Sequence, residues 1–208
     1  MRRDTPEEYF DIMVNKRDLE LLFEIGSLSN VQKGSRQHFG IDCETVLEHT
    51  LRVMWLALIL ARSEGKGNDE KIMKMALVHD LEETRVSDLG YIQKVYVKSD
   101  EERAVSDSLT GTSLSDLSVI FQEYKKRDSI EAKLVKDADN LELDIEFKEL
   151  EDQGSKLPAK LVHLRKLVRD EKLYTDSAKA LWDELQTAEV HDWHLKTNKW
   201  IKMPDCGR

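Results

Sequence analysis

Cysteine, proline and long apolar runs are all scarce in this chain of 208 residues, and the scarcity excludes several classes of protein. The two cysteines, Cys43 and Cys206, lie far apart, so no disulfide framework is expected and the cytoplasm is the expected location. No run of the sequence reaches the roughly 18 consecutive apolar residues of a transmembrane helix. The stretch from Met1 to Glu8 lacks the apolar core of a signal peptide.

Positive charge is also in deficit. The chain has 32 Lys and Arg residues against 41 Asp and Glu residues, which gives a formal net charge of −9. Proteins that bind duplex nucleic acid normally carry a basic patch, so nucleic acid is not an expected partner. A membrane is not an expected partner either. A small phosphorylated substrate is compatible with this charge, since a metal ion and a few nearby cations can reverse the local field.

Helix-breaking prolines occur only at positions 6, 158 and 204. Apolar residues recur at spacings of three and four along most of the chain, which predicts an all-α fold consisting of one bundle of about 7–9 helices. One domain is expected at this length. We assign residues 1–190 to that domain, with its motifs confined to about 20–150, and residues 191–208 to a C-terminal tail.

Caps and glycines suggest where the helices begin and end. One predicted helix follows Asn68 and carries His79; Thr112 or Ser113 and Asp128 are expected to cap two others. Residues 27–42 are predicted to form a polar loop, and residues 84–98 a loop with short helical turns over the site. The remaining predicted helices cover residues 5–25, 44–63, 99–110, 113–127, 129–152, 157–172 and 175–189.

The most informative feature of the chain is the dipeptide His79–Asp80. A neutral imidazole and a carboxylate side by side can hold one divalent cation. Glu83 follows Asp80 by three residues, so on a continuous helix it points to the same side, and a metal ion with a spare carboxylate can activate water. The same register turns Glu82 about 100° away, toward solvent.

Two further polar residues lie at predicted inward faces. His49 lies between Val46 and Val53 in an apolar helical stripe, and Asp139 borders a second stripe. By itself His49 is more often a hydrogen-bonded core residue, and Asp139 alone could be a surface carboxylate. A buried carboxylate needs a partner, however, and a metal cation is one. The predicted metal ligands come from three helical segments: His49, His79, Asp80 and Asp139.

The order His…His-Asp…Asp resembles the HD-domain metal-dependent phosphohydrolases. The segments that resemble the 5'-deoxynucleotidase branch of that family are Glu44–His49, His79–Glu83, Ser87–Leu89 and Leu134–Asp139. Upstream of the first His the branch usually has an Arg-Trp or Gly-Trp pair that helps to select the sugar. Here Arg36 fills the Arg position and no Trp occurs, so the preference for a 2'-deoxy sugar is expected to weaken. Ser87 stands where Gly is common.

Two imidazoles and two carboxylates suit one divalent transition metal (Mn, Co, Fe, Ni or Zn) better than Ca. Glu83 is predicted to orient or deprotonate the attacking water or to protonate the leaving group, and Asp88 to position the sugar or a water molecule. For phosphate binding, the resemblance implies Arg36, Lys94 and Lys136. It also implies a homodimer.

The resemblance favours removal of the 5'-phosphate of nucleoside monophosphates, deoxyribonucleotides in particular. Two alternatives stay open, a (d)NTP triphosphohydrolase and a non-catalytic HD-fold interaction protein. The second His-Asp pair, His191–Asp192, has no apolar helical stripe around it and is not expected to bind a metal.

Overall fold

The computed structural model describes residues 15–196, and within this range the chain forms helices and no strand. An isolated antiparallel bridge joins Gln32 to Thr45. The all-α prediction is confirmed, although the twelve α-helices of residues 15–196 exceed the predicted 7–9; eight of them have nine or more residues. The helices are α1 (Lys16–Gly26), α2 (Ser35–Phe39), α3 (Val46–Glu64), α4 (Asp69–Val78), α5 (Glu83–Val86), α6 (Gln93–Tyr96), α7 (Glu101–Leu109), α8 (Leu117–Lys126), α9 (Ile130–Asp152), α10 (Leu157–Glu171), α11 (Asp176–Leu185) and α12 (Asp192–Leu195).

Helices α3 and α9 lie at the centre of the bundle, where they pack against each other and against α4. A capping box begins α3: Thr45 Oγ1 accepts from the Glu48 backbone N–H, and the Glu48 carboxylate accepts from the Thr45 backbone N–H. The helix ends at Gly65, whose φ of 63° is in the left-handed region that glycine tolerates. Val53 and Leu60 on its inner face are fully buried, and each contributes about 1.5–3 kcal/mol of transfer free energy.

A second apolar cluster anchors the turn that follows α4. Val78 and Leu81, which flank the His-Asp dipeptide, are both buried against residues of α1, α7 and α8. Phe121 of α8 is the largest of these fully buried side chains. The dipeptide is therefore held on both sides by packed core residues.

The structure corrects three predicted helix boundaries. α4 ends at Val78, so the predicted continuous helix through Glu83 is wrong: residues 79–82 form a tight turn before α5 begins. Ser129, not Asp128, caps α9 and accepts a hydrogen bond from the Ala132 N–H. Helix α8 begins only at Leu117, because the preceding residues form turns.

Short helices α5 and α6 lie within the predicted 84–98 loop, as expected for a loop with helical turns. The polar segment 27–42 contains α2 and a 3-10 turn, Ser27–Asn30. None of the described helices is long and apolar enough to span a membrane. The predicted start of the first helix at Thr5 and the second cysteine, Cys206, lie outside the described residues.

Candidate metal centre

The four predicted ligands meet at one point between α3, α4 and α9. The Nε2 atoms of His49 and His79 are 3.4 Å apart. Asp80 Oδ2 lies 3.5 Å from His49 Nε2 and 3.3 Å from His79 Nε2. Asp139 Oδ1 lies 3.3 Å from His49 Nε2. Side chains from three separate parts of the sequence thus present ligand atoms to a common position.

In both His49 and His79 the Nδ1 atom is held by a hydrogen bond, which leaves Nε2 free to act as a metal ligand. His79 Nδ1 lies 2.7 Å from the carbonyl oxygen of Ala76, and because a carbonyl only accepts, Nδ1 carries the proton. Burial lowers the pKa of His79 and favours its neutral ring. His49 Nδ1 lies 2.9 Å from Glu142 and 3.2 Å from Glu44. Partners of this kind orient metal-binding histidines.

The polar atoms that face the common position lie close together and are only partly paired. Asp80 Oδ2 is buried and accepts no hydrogen bond from any residue that the structure describes. Burial and Lys33 oppose protonation of His49, yet Asp139, Glu142 and Glu44 hold its pKa well above the ordinary value. A buried carboxylate needs a cation, and the cation nearest to Asp80 among the described residues is Lys33, whose Nζ lies 3.5 Å from Oδ2. The donor set therefore fits a divalent transition metal.

Glu82 is buried, which corrects the prediction that it faces solvent. It is only 6% exposed, and together with Glu83 it lines a polar cavity beside the four ligands. The tight turn at residues 79–82 breaks the helical register, so neighbouring side chains both turn inward. The Oε2 atoms of Glu82 and Glu83 are each buried without a hydrogen-bond partner among the described residues.

The two glutamates differ in the charges around them. Burial, and next the charge of Asp80, raises the pKa of Glu83 to about 10, whereas Lys33 lowers it. Burial and Asp80 also raise the pKa of Glu82 to about 8, but there the opposing cation is Lys125. Positive charge brought to the ligand atoms would lower both pKa values. The charge of Asp80 thus acts on both glutamates, whereas Lys33 opposes it at Glu83 and Lys125 at Glu82.

Lys33 is a site residue that the sequence analysis missed. Its Nζ lies 3.5 Å from Asp80 Oδ2 and 3.4 Å from Asp88 Oδ2. Burial opposes its charge, yet Asp80, Glu83 and Asp88 hold the pKa of Lys33 well above its ordinary value. The next residue, Gly34, donates its backbone N–H to Asp88 Oδ2 at 2.7 Å.

Arg36 is not brought to the site, which corrects its predicted role in phosphate binding. Its guanidinium lies 2.5 Å from Asp42 and 3.1 Å from Gln32, and it lines neither cavity at the metal centre. Consecutive residues of a helix point about 100° apart, so in the short helix α2 Ser35 faces the site while Arg36 faces outward. Ser35 lines the wall of the apolar cavity described below.

The other two predicted phosphate ligands do line the polar cavity. Lys136 Nζ lies 2.6 Å from Asp139 Oδ2. Burial opposes ionisation of Asp139, but Lys136 and His49 hold its pKa well below the ordinary value. Lys94 is exposed on α6 and forms no ion pair with any of residues 15–196.

The candidate metal centre lies where two cavities meet, because Lys33, Asp88 and Asp139 line both. The polar cavity measures about 200 Å³. The second measures about 340 Å³ and has mainly apolar walls. The cations of the polar cavity are Lys33, Lys94, Lys125, Arg127 and Lys136. The apolar side chains of the second cavity are Phe39, Leu89, Tyr91, Leu143, Phe147, Leu161 and Leu164.

The second His-Asp pair lies elsewhere. His191 Nε2 is 2.8 Å from Asp152 Oδ2, and His191 Nδ1 is 3.0 Å from His194 Nε2. Both ring nitrogens of His191 therefore already have partners within the described part of the chain. Neither grouping of convergent ligand atoms found among the described residues includes it.

Known proteins are similar to this chain in sequence and in structure. The 5'-deoxynucleotidase HDDC2 of Danio rerio is 33% identical over 150 residues, which are 67% of this chain and 74% of the relative. The protein of the same name from Dictyostelium discoideum is 30% identical over 156 residues, 69% of this chain and 82% of the relative. A solved structure, a conserved hypothetical protein from Pyrococcus furiosus, matches with a TM-score of 0.70 and 26% identity over 82% of this chain and 99% of its own.

A family model described as HD domain matches residues 25–192, which is most of the chain. The match covers all four predicted ligands and both cavities, and it confirms the resemblance drawn from the sequence motifs. This chain belongs to the HD-domain family.

Proposed function

We propose that the protein is a metal-dependent phosphohydrolase that removes the 5'-phosphate of nucleoside monophosphates, deoxyribonucleotides in particular. One observation carries the proposal: the proposed metal ligands lie between a polar cavity, lined by five cations and six carboxylates, and a cavity with apolar and aromatic walls. A nucleotide has the same division, with a charged phosphate at one end and a largely apolar base at the other. The names of the curated relatives, 5'-deoxynucleotidases, point to the same reaction.

In this proposal His49, His79, Asp80 and Asp139 hold one Mn, Co, Fe, Ni or Zn ion. Such an ion supplies Lewis acidity and offsets the negative charge of a phosphate. Glu142 accepts from the Nδ1 of His49 and so keeps the other nitrogen of that ring directed at the ion.

Glu83 is the proposed acid–base residue, because its Oε2 is buried in the polar cavity without a hydrogen-bond partner among the described residues and the charges of Asp80 and Lys33 act on it. It would accept a proton from the attacking water as the new P–O bond forms, or return a proton to the 5'-oxygen as the old P–O bond breaks. Asp88 holds Lys33 and Gly34 and thereby joins the two cavity walls. We assign it a positioning role.

The phosphate would lie in the polar cavity, with Lys33, Lys94 and Lys136 as its proposed cationic partners. The nucleoside would occupy the apolar cavity, where Ser35 is among the lining residues and no Trp is. A small hydroxyl side chain leaves room for a ribose 2'-OH. We therefore expect weaker discrimination between ribose and deoxyribose than in relatives that have the Trp.

A second candidate activity, triphosphate release from (d)NTPs, is favoured by the number of cations in the polar cavity, five in all. A phosphate-release screen over matched NMP, dNMP, NTP and dNTP substrates separates the candidates. We expect orthophosphate from monophosphates with similar kcat/KM for ribose and deoxyribose. Inorganic triphosphate from dNTPs would favour the second candidate, and no product from any nucleotide would favour a non-catalytic interaction protein.

We further propose a homodimer whose contact surface is the outer apolar stripe of α3. Its residues recur every four positions and are all exposed: Leu47, Leu51, Trp55 and Ile59. An exposed apolar stripe of this length is a common mark of a protein–protein contact. The domain division after residue 190 and the cytoplasmic location stay predictions from the sequence.

A further inference from the structure

Arg127 is a cation in the polar cavity that no sequence motif indicated. It follows α8, and its guanidinium carbon lies 3.4 Å from the centre of the Tyr124 ring. Tyr124 in turn donates its hydroxyl to Asp139 Oδ2 at 3.3 Å. One aromatic ring therefore separates the guanidinium from a predicted metal ligand.

The charge of Arg127 is not neutralised locally. Of the five cations in the cavity, Lys33, Lys125 and Lys136 each pair with a carboxylate. Within residues 15–196, Arg127 and Lys94 form no ion pair, and the guanidinium of Arg127 hydrogen-bonds only to the Tyr124 carbonyl. Most of its N–H donors are thus available to an anion inside the cavity.

The backbone at Arg127 is constrained. Ser87 and Arg127 are the non-glycine residues of the described range with positive φ, at 61° and 59°, and both line the polar cavity. Strained backbone of this kind tends to occur at functional sites, where the surrounding structure holds it in place. The guanidinium of Arg127 stacks on Tyr124, and the left-handed backbone of Arg127 ends α8. Together these two features fix the guanidinium in one orientation before any ligand binds.

We propose that Arg127 is a substrate-binding residue that donates to phosphate oxygens opposite the metal ligands. The inference rests on the proposed function in assuming that the anion is a substrate phosphate. A planar fork of N–H donors, already oriented, suits phosphate oxygens better than a flexible ammonium does.

The test uses inorganic phosphate as the probe and calorimetry on the purified, metal-containing protein. Arg127→Gly removes the guanidinium and fits a positive φ, so it should fold with an unchanged or higher melting temperature. We expect its dissociation constant for phosphate to rise roughly 10- to 100-fold, the range for a lost charge-assisted hydrogen bond. Arg127→Lys keeps the positive charge and loses the planar set of N–H donors. Its dissociation constant for phosphate should lie between that of Arg127→Gly and that of wild type.

The matched control is Lys126→Ala, because Lys126 is the neighbouring cation, is exposed and lines neither cavity. Its phosphate affinity should equal that of wild type. Unchanged affinity in Arg127→Gly, or equal losses in Arg127→Gly and Lys126→Ala, would overturn the inference. If the predicted pattern appears and no nucleotide is hydrolysed, the anion position stands and the proposed function fails.

Discussion

At the scale of single residues, the turn after α4 decides which carboxylate can do acid–base chemistry. Glu82 and Glu83 are both buried, and both have an unpartnered oxygen. Their charged neighbours separate them: Glu83 is near Lys33 and Asp88, and Glu82 is near Glu101 and Lys125. Lys33 also contacts Asp80, a proposed metal ligand, which favours Glu83 for the acid–base role.

We therefore expect Glu83→Gln to retain its metal while kcat falls by roughly 10²–10⁴, the range for a general acid–base residue. Glu82→Gln should keep kcat within about tenfold of wild type. Steady-state kinetics with elemental analysis of each variant check this, and a dead Glu82→Gln beside an active Glu83→Gln would exchange the two roles.

Lys33 and Arg36 form a second matched pair, since both are cations of the segment before α3. Lys33→Gln leaves Asp80 and Asp88 without their cation, so kcat/KM should fall by roughly 10- to 100-fold. Arg36→Gln loses only outward contacts with Gln32 and Asp42, so it should behave like wild type. Steady-state kinetics of the two variants test this expectation. A larger loss of kcat/KM in Arg36→Gln than in Lys33→Gln would restore the role that the sequence predicted for Arg36.

The sequence indicated the four side chains of the proposed metal centre but not Lys33, for a physical reason. Apolar spacing of three and four identifies inward faces of long helices, and His49 and Asp139 lie on or beside such faces. Lys33 lies in a loop, and its position depends on the contact of Gly34 with Asp88, 54 residues later. No local pattern contains that information.

At the scale of elements, two loops meet over the site at Gly34. A Cβ atom at this position would lie 2.8 Å from the backbone N of Gly90 and 3.0 Å from the carbonyl O of Asp88. Both are main-chain atoms, so a methyl group cannot be accommodated by rotating a side chain. The close approach is what places Lys33 beside the carboxylates.

Gly34→Ala should therefore separate the loops, with a loss of about 1–3 kcal/mol in the free energy of unfolding and at least about a tenfold loss in kcat/KM. Gly26→Ala is the control, because its Cβ would meet nothing within 4 Å. Chemical denaturation and kinetics measure both effects. Wild-type activity in Gly34→Ala would mean that the contact of the two loops does not position Lys33.

The long helices were predictable to within a few residues, because their caps and glycines are local signals. Helix α3, Val46–Glu64, lies within two residues of the predicted bounds 44–63. The end of α4 was not predictable, because residues through Glu83 have no helix-breaking residue. Tertiary packing of Val78 and Leu81 determines the turn there, and that packing brings Glu82 inward.

At the scale of the whole molecule, the outer face of α3 is the proposed dimer contact. Trp55 is 64% exposed in the middle of that stripe. Trp55→Glu should convert a dimer into a monomer, since a charge would be buried at the contact. Val119→Glu on α8 is the control, because Val119 is equally exposed, at 65%, and lies off α3. Sedimentation velocity measures the result, and a dimer in Trp55→Glu would place the contact elsewhere.

The bundle as a whole brings side chains from α3, the turn after α4, and α9 to one point. The metal content of the protein tests the proposed centre most directly. We expect elemental analysis of the purified protein to give about one divalent transition metal per chain, because the four side chains form a single site with four ligands. Asp139→Ala should fold and lose most of that metal. Equal metal content in wild type and Asp139→Ala, or no metal in either after growth in metal-supplemented medium, would contradict the proposed centre.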